Sequence, residues 1–244
     1  MNKGFERLEW NTVKYIDCMD EMEGLPSLKD KSIDLCFTDP NFNVKIGNNK
    51  KCNGSMTIRS WAIKYKDNMN DNEYSEWCKS WFQQLKRVCE RIVIHCGMRN
   101  IHRWCIIEKP RGFAFVWKRN SCSPGHISNF LTLSPLIFYG KVIKKLRSRE
   151  IFDYPAKLGF LSDGKYIHPC PLNEAFLLDL LTQLEPKNVL DIFMGSGTTA
   201  EVCTKLGIPW VGYEINEVYS QDIIKRLENC KKEANQMILE EWIK

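Results

Sequence analysis

Apolar positions along the chain follow two alternating patterns. Short runs that are β-branched or aromatic and stop at turn residues read as buried strands: Thr12 to Ile16, Ser32 to Phe37, Arg91 to His95, Gly112 to Trp117, Pro135 to Tyr139, Asn188 to Ile192 and Pro209 to Tyr213. Between them the apolar spacing changes to three and four. Tyr74, Trp77, Trp81, Leu85 and Val88 mark one face of a helix over Glu73 to Val88. Glu174 to Leu184, Thr198 to Leu206 and a long stretch from about Val218 read the same way. Strands alternating with helices predict an α/β fold: a mostly parallel, seven-stranded sheet with helices on both faces. No repeat, low-complexity tract or Pro/Ser linker divides residues 1–244, and that length suits a single domain with one core. Ligands of such sheets bind beyond the carboxyl ends of the strands, so the residues just after each strand carry the functional information.

After Asn188 to Ile192 comes Asp191-Ile-Phe193-Met-Gly195-Ser196-Gly197-Thr198-Thr199, then a helix. Glycines at 195 and 197 let the backbone turn sharply and approach a ligand without interference from a Cβ. The Lys of a phosphate loop is absent, and Ala200 stands where a dinucleotide loop has its third glycine. An anionic Asp191 ahead of the glycines is a poor neighbour for pyrophosphate and suits a cationic ligand with an α-amino group. Glu214 ends the next strand, about 20 residues on, where an acid accepts hydrogen bonds from ribose hydroxyls. After Ser32 to Phe37 comes Thr38-Asp39-Pro40-Asn41-Phe42-Asn43.

Together these segments resemble the DNA N6-adenine and N4-cytosine methyltransferases. Val189 to Thr199, with Gly212-Tyr-Glu-Ile-Asn216 downstream, is similar to their S-adenosylmethionine site, and Asp39 to Phe42 is similar to their Asp-Pro-Pro-Tyr/Phe catalytic loop. The resemblance implies a Rossmann-like methyltransferase fold, with the region of Asp191, Phe193, Gly195, Ser196, Gly197, Thr198 and Thr199 around the methionine part of the cofactor and Glu214 on its ribose. An exocyclic base amine is a poor nucleophile because its lone pair is delocalised into the ring. Asp39 and the Pro40 carbonyl can accept hydrogen bonds from its two N–H groups and push the nitrogen towards sp³ character as it attacks the methyl. Phe42 can stack on a base that has left the duplex. Asn41 departs from the family, which usually has a second Pro there.

Two further segments fit the resemblance. Tyr15-Ile-Asp17-Cys-Met-Asp20 is similar to the family's N-terminal strand, which places Asp17 near the adenine ring of the cofactor. His168-Pro-Cys-Pro-Leu-Asn173 is similar to a His-Pro-x-x-Lys-Pro segment flanking the cofactor, with Leu172 and Asn173 where Lys and Pro are common. His168 can be structural or cofactor-facing there. The catalytic loop precedes the glycine turn by about 150 residues, the order of the family's permuted β group. The resemblance is weakest over 44–72 and 140–167, polar stretches expected to be variable DNA-contacting loops.

Charge and cysteines add less. The net charge is +5, with Lys141, Lys144, Lys145, Arg147 and Arg149 in one group and Lys225, Arg226, Lys231 and Lys232 in another. Lys45, Lys50, Lys51 and Arg59 lie in the first variable stretch. Such stripes attract a phosphate backbone or form a solvated face. Eleven scattered cysteines without a Cys-x-x-Cys pair argue against a zinc or redox centre and read as small buried hydrophobes in a reducing cytosol. The near-pairs His102 with Cys105 and His168 with Cys170 read as core packing, so no metal is expected. No apolar run reaches membrane-span length and no secretory signal pattern opens the chain, which points to a cytoplasmic enzyme. The expected activity is adenine-specific DNA methylation, because an Asp heads the catalytic loop where N4-cytosine enzymes more often have Ser. N4-cytosine methylation, an RNA substrate and a catalytically silent binding relative remain alternatives. DNA is the expected partner, and a homodimer or a companion restriction endonuclease is compatible with the reading.

Overall fold

Alternation within each buried strand decides which helices cover which face. In β2 (Ile33–Thr38) Leu35 and Phe37 join one apolar cluster and Cys36 the other; in β3 (Cys89–His95) Val93 joins the first, Ile92 and Ile94 the second. Residues two apart on a strand share a face, so the sheet is apolar on both sides and needs two helical layers. A computed structural model describes residues 8–43, 68–119, 133–141, 151–155, 168 and 171–242. Lys45, Lys50, Lys51, Arg59, Lys144, Lys145, Arg147 and Arg149, together with Cys52, Cys122 and Cys170, lie outside them.

The remaining strands are β1 (Thr12–Lys14), β4 (Gly112–Arg119), β5 (Leu133–Gly140), β6 (Ile151–Pro155), β7 (Val189–Asp191) and β8 (Trp210–Tyr213). They form one eight-stranded sheet in the order β1-β8-β7-β2-β3-β5-β4-β6. Only β5 runs antiparallel, paired with β3 on one side and β4 on the other. Helix α1 (Asp71–Val88) and the short α2 (Ile101–Ile107) cover one face through Tyr74, Trp81, Phe82 and Trp104. Helices α3 (Glu174–Leu184), α4 (Thr198–Lys205) and α5 (Ser220–Trp242) cover the other through Phe176, Leu180, Val202 and Ile223. Helix α1 begins two residues before the expected Glu73, because Asn70 and Glu73 close a capping box: the Asn70 side chain accepts from Glu73 N at 3.0 Å and Glu73 Oε2 accepts from Asn70 N at 3.0 Å.

The structure corrects several expectations. Among the described residues the sheet has eight strands, not seven, and the extra one, β6, falls inside the stretch 140–167 expected to be loop. It pairs parallel to β4 at the sheet edge, where Phe152 is buried but Ile151 is exposed, so its one-sided burial gives little sequence signal. Likewise Asp71 and Asn72, at the end of the first variable stretch, are the opening turn of α1. His102 and Cys105 are exposed on α2 rather than packed in the core, because that face of a seven-residue helix points to solvent. The other described cysteines are buried and unbridged. Among the described residues, no helix is long and apolar enough to cross a membrane, and no group of three or more His, Cys, Asp or Glu could hold a metal.

Candidate active site

Strands β7 and β2 are parallel neighbours, yet the helices that follow them leave to opposite faces: α4 after β7 and α1 after β2. A crevice opens where crossovers diverge in this way. The sheet order then lines up the polar residues that end the strands. Asp17 lies beyond β1, Glu214 after β8, Asp191 at the end of β7, Asp39 after β2 and His95 at the end of β3. Residues spread from 17 to 214 in sequence thus meet on one edge.

On the β7 side the turn is held by its two acids. Asp191 is buried and accepts from Phe193 N at 3.0 Å and Thr199 Oγ1 at 2.6 Å, tying the strand end to the first turn of α4. Glu214 is buried too; Oε2 accepts from Gly195 N and Oε1 from Asn216 N, both at 2.7 Å. Gly195 and Gly197 have φ of +52° and +81°, a region that costs other residues strain. A Cβ on Gly197 would lie 2.8 Å from the Ile223 side chain, and one on Gly195 would lie 3.0 Å from His168 Nε2. Positions 195 and 197 therefore have no room for a side chain. Ser196 and Thr198 are buried beside it, with the Thr198 hydroxyl reaching Leu172 O at 3.5 Å. Phe193 turns the other way, its ring 5.5 Å from Trp77 and 5.4 Å from Trp81 on α1. Asp17 is exposed in the turn after β1, where Oδ1 accepts from Met19 N at 2.9 Å.

His168 packs against this turn from the far side. Its ring is enclosed between Gly195 and the Tyr219 ring, 4.7 Å away edge-on, and the His168 backbone N–H donates to Asp222 Oδ2 at 2.8 Å. Burial pushes its imidazole down to about 4, with Asp39 opposing and Arg226 adding to the shift, so it is neutral at pH 7. Arg226 corrects the reading of the C-terminal basic group. Lys225, Lys231 and Lys232 are exposed, but Arg226 is only 1% exposed and is paired with Glu201 of α4. It also donates to the Ser196 hydroxyl at 3.3 Å, so it braces the turn instead of facing phosphate.

On the β2 side the loop from Asp39 to Asn43 is pinned from three elements. His95 Nδ1 lies 2.9 Å from Asp39 Oδ1, and the His95 ring meets the Phe42 ring edge-on at 5.8 Å. Tyr74 of α1 donates to the Asn41 carbonyl at 2.5 Å, and Asn100 Nδ2 donates to the Phe42 carbonyl at 2.9 Å. Asn41 Oδ1 accepts from Asn43 N at 2.8 Å. Asn43, at φ +54°, exchanges two hydrogen bonds of 2.9 Å with the Met69 backbone. His95, Tyr74 and Asn100 escaped the motif reading. His95 was within reach of the rule that strand-end residues matter; Tyr74 and Asn100 look like ordinary helix and turn residues until the chain is folded.

The two halves of the site share a field. Burial pushes the Asp191 carboxyl up to about 7; the Thr199 and Phe193 hydrogen bonds oppose this, and the nearby charges of Asp39 and Glu214 raise it further. A cation placed among these acids would relieve that repulsion. A buried acidic crevice beside a tight glycine turn therefore fits a cationic ligand such as S-adenosylmethionine.

Comparison with known proteins agrees with this geometry. A sequence model described as DNA methylase, for N6 and N4 methyltransferases, matches residues 33–132 and 143–226. The type II methyltransferase M.HpaI of Haemophilus parainfluenzae is 26% identical over 87% of this chain and 73% of its own length. M2.DpnII of Streptococcus pneumoniae is 24% identical over 88% and 90%, respectively. Among solved structures, the cytosine-N4-specific PvuII DNA methyltransferase superposes with a TM-score of 0.63 at 19% identity, covering 88% of this chain and 85% of that one. The M1.HpyAVI–SAM complex gives 0.55 at 18% identity, covering 88% and 98%. The chain belongs to the DNA methylase family of N6/N4 methyltransferases, whose methyl donor is S-adenosylmethionine.

Proposed function

We propose that the chain methylates the N6 amine of an adenine flipped out of DNA. The observation that carries this reading is the parallel pairing of β2 with β7, whose ends bear Asp39 and the Asp191–Gly197 turn near enough for Asp39 to act electrostatically on Asp191: an acceptor for the amine beside a cradle for the methyl donor. Asp39 and the Pro40 carbonyl accept the two N–H groups of the target amine, and Phe42 stacks on the base. When bound, S-adenosylmethionine supplies an electrophilic methyl on its sulfonium. Asp191, Gly195, Ser196, Gly197, Thr198 and Thr199 hold the methionine portion, Glu214 the ribose and Asp17 the adenine ring, while Phe193 and His168 shape the walls. Asp39 then takes up the proton that the amine sheds. Holding the amine in line with the methyl supplies much of the rate. Asn41 leaves these acceptors in place.

The preference for adenine rests on Asp39 heading the loop. The test is unmethylated DNA incubated with protein and cofactor, digested to nucleosides and read by mass spectrometry. N6-methyladenine is the expected product. N4-methylcytosine would keep the mechanism and change the base, whereas cofactor binding without any methylated nucleoside would point to RNA or to a silent relative.

A further inference from the structure

The catalytic loop of this chain lacks the second proline that stiffens the loop in its relatives, and the fold surrounds the same position with hydrogen bonds. We infer that Tyr74 and Asn100 are positioning residues that clamp the carbonyls of Asn41 and Phe42, and so aim Asp39 and the Pro40 carbonyl at the target amine. The inference rests on the methyltransferase reading of the loop.

The clamp is built from rigid parts. Tyr74 is fully buried on the first turns of α1, and burial holds its phenol protonated well above the ordinary value, so it is a permanent donor to Asn41 O at 2.5 Å. Asn100 is buried in the 3-10 turn Met98–Asn100 after β3, and its Nδ2 donates to Phe42 O at 2.9 Å. One residue locks both donors. Arg103 Nη1 donates to Asn100 Oδ1 at 2.8 Å, which fixes the amide so that its NH2 faces the loop, and the guanidinium lies 4.9 Å over the Tyr74 ring. Arg103 Nε in turn donates to Ser75 Oγ on α1 at 2.8 Å. The donors therefore come from two elements that Arg103 ties together, so they cannot drift independently.

The choice of carbonyls is informative. The clamp engages residues 41 and 42, while no described residue donates to the Pro40 carbonyl, the one the amine needs. A proline at 41 would fix φ through its ring; here Asn41 is fixed by its carbonyl and by its own side chain, which caps Asn43 N at 2.8 Å. Loss of the clamp should slow methyl transfer more than it weakens cofactor binding, since the glycine turn is anchored elsewhere.

The test compares Tyr74→Phe, which removes one hydroxyl without changing packing, and Asn100→Asp, which removes the donor but keeps the acceptor for Arg103. Each should lower the single-turnover methylation rate about 10- to 100-fold, with cofactor affinity changed less than about threefold. Adding Asn41→Pro to Tyr74→Phe should recover most of the lost rate, a rescue that a general packing defect would not show. Amide exchange of a peptide spanning 39–43, which needs no turnover, should rise about tenfold in Tyr74→Phe. Unchanged exchange overturns the clamp, and so does raised exchange with an undiminished rate, since the contacts would then not aim the acceptors. A wild-type chain inert on every nucleic acid would defeat the methyltransferase reading instead, leaving the exchange data to decide whether the loop is clamped.

Discussion

His95 Nδ1 lies 2.9 Å from Asp39 Oδ1, joining the ends of neighbouring parallel strands. His95 is fully buried, with its ring against Phe42 and against Phe176 at 6.2 Å, so it has little freedom to turn away. It limits the orientations open to the carboxylate. We expect His95→Leu to slow methyl transfer about 10- to 100-fold, because small misplacements of a reacting group cost rates of that order. Quench-flow single-turnover kinetics would measure it, and a rate equal to wild type would remove His95 from the site.

The two halves of the crevice should separate by mutation. Asp39→Ala should abolish transfer and leave cofactor affinity nearly intact, since Asp39 follows β2 and pairs with His95, whereas the glycine turn follows β7 and is held by Asp191 and Glu214. Glu214→Ala should do the opposite first. It removes the acceptor for Gly195 N and Asn216 N as well as the proposed ribose contact, and should weaken cofactor binding at least about tenfold. Titration calorimetry on both variants distinguishes the roles; swapped outcomes would exchange the assignments.

Asp191 predicts a pH dependence. Its carboxyl titrates at about 7 in the folded chain against an ordinary 3.8, so the folded state holds this proton more tightly than the unfolded one. The stability it contributes is present below about pH 4 and is lost as pH rises through about 7. Affinity for a cationic cofactor should move the other way and strengthen as Asp191 ionises. Asp191→Asn should flatten both trends and raise the melting temperature at pH 8 by several degrees, about 2–4 °C per kcal/mol for a domain of this size. Melting curves of the two proteins that stay parallel from pH 5 to 8 would show that Asp191 does not titrate in that range.

Arg226 and Glu201 form a buried ion pair behind the turn, with Lys205 Nζ 3.4 Å from Glu201 as a second cation. Arg226→Met leaves Glu201 only partly compensated and should cost roughly 3–5 kcal/mol, by urea unfolding. Replacing both partners by apolar residues should recover much of that loss. If the single and double variants are equally destabilised, the loss is one of packing and not of charge.

Much of this architecture was legible because strands and helices announce themselves by different periods. The α3 boundaries, Glu174 to Leu184, follow directly from the spacing, and the glycine turn stands out because its residue types have few other uses. Strand β6 was invisible because an edge strand buries one face, and α2 because seven residues are too few for a helical period to declare itself. Arg226 misled for a related reason. A basic cluster on a helix reads as a solvated or phosphate-facing stripe, but 3.6 residues per turn rotate one of its members into the core, where pairing with Glu201 and a bond to Ser196 make it tolerable. The supporting shell of the catalytic loop could not be read at all. Tyr74 and Asn100 touch residues 33 and 58 positions away, and no local pattern encodes such a meeting.

The edge that carries Asp17, Glu214, Asp191, Asp39 and His95 is set by which strands lie side by side, and the order in which the polypeptide visits them is immaterial to it. A gene cut within one surface connection and rejoined elsewhere would lay the same five groups along the same rim. The acceptor half and the donor-cradle half are thus joined by the pairing of β2 with β7, and their shared crevice depends on that pairing more than on which half comes first in the chain.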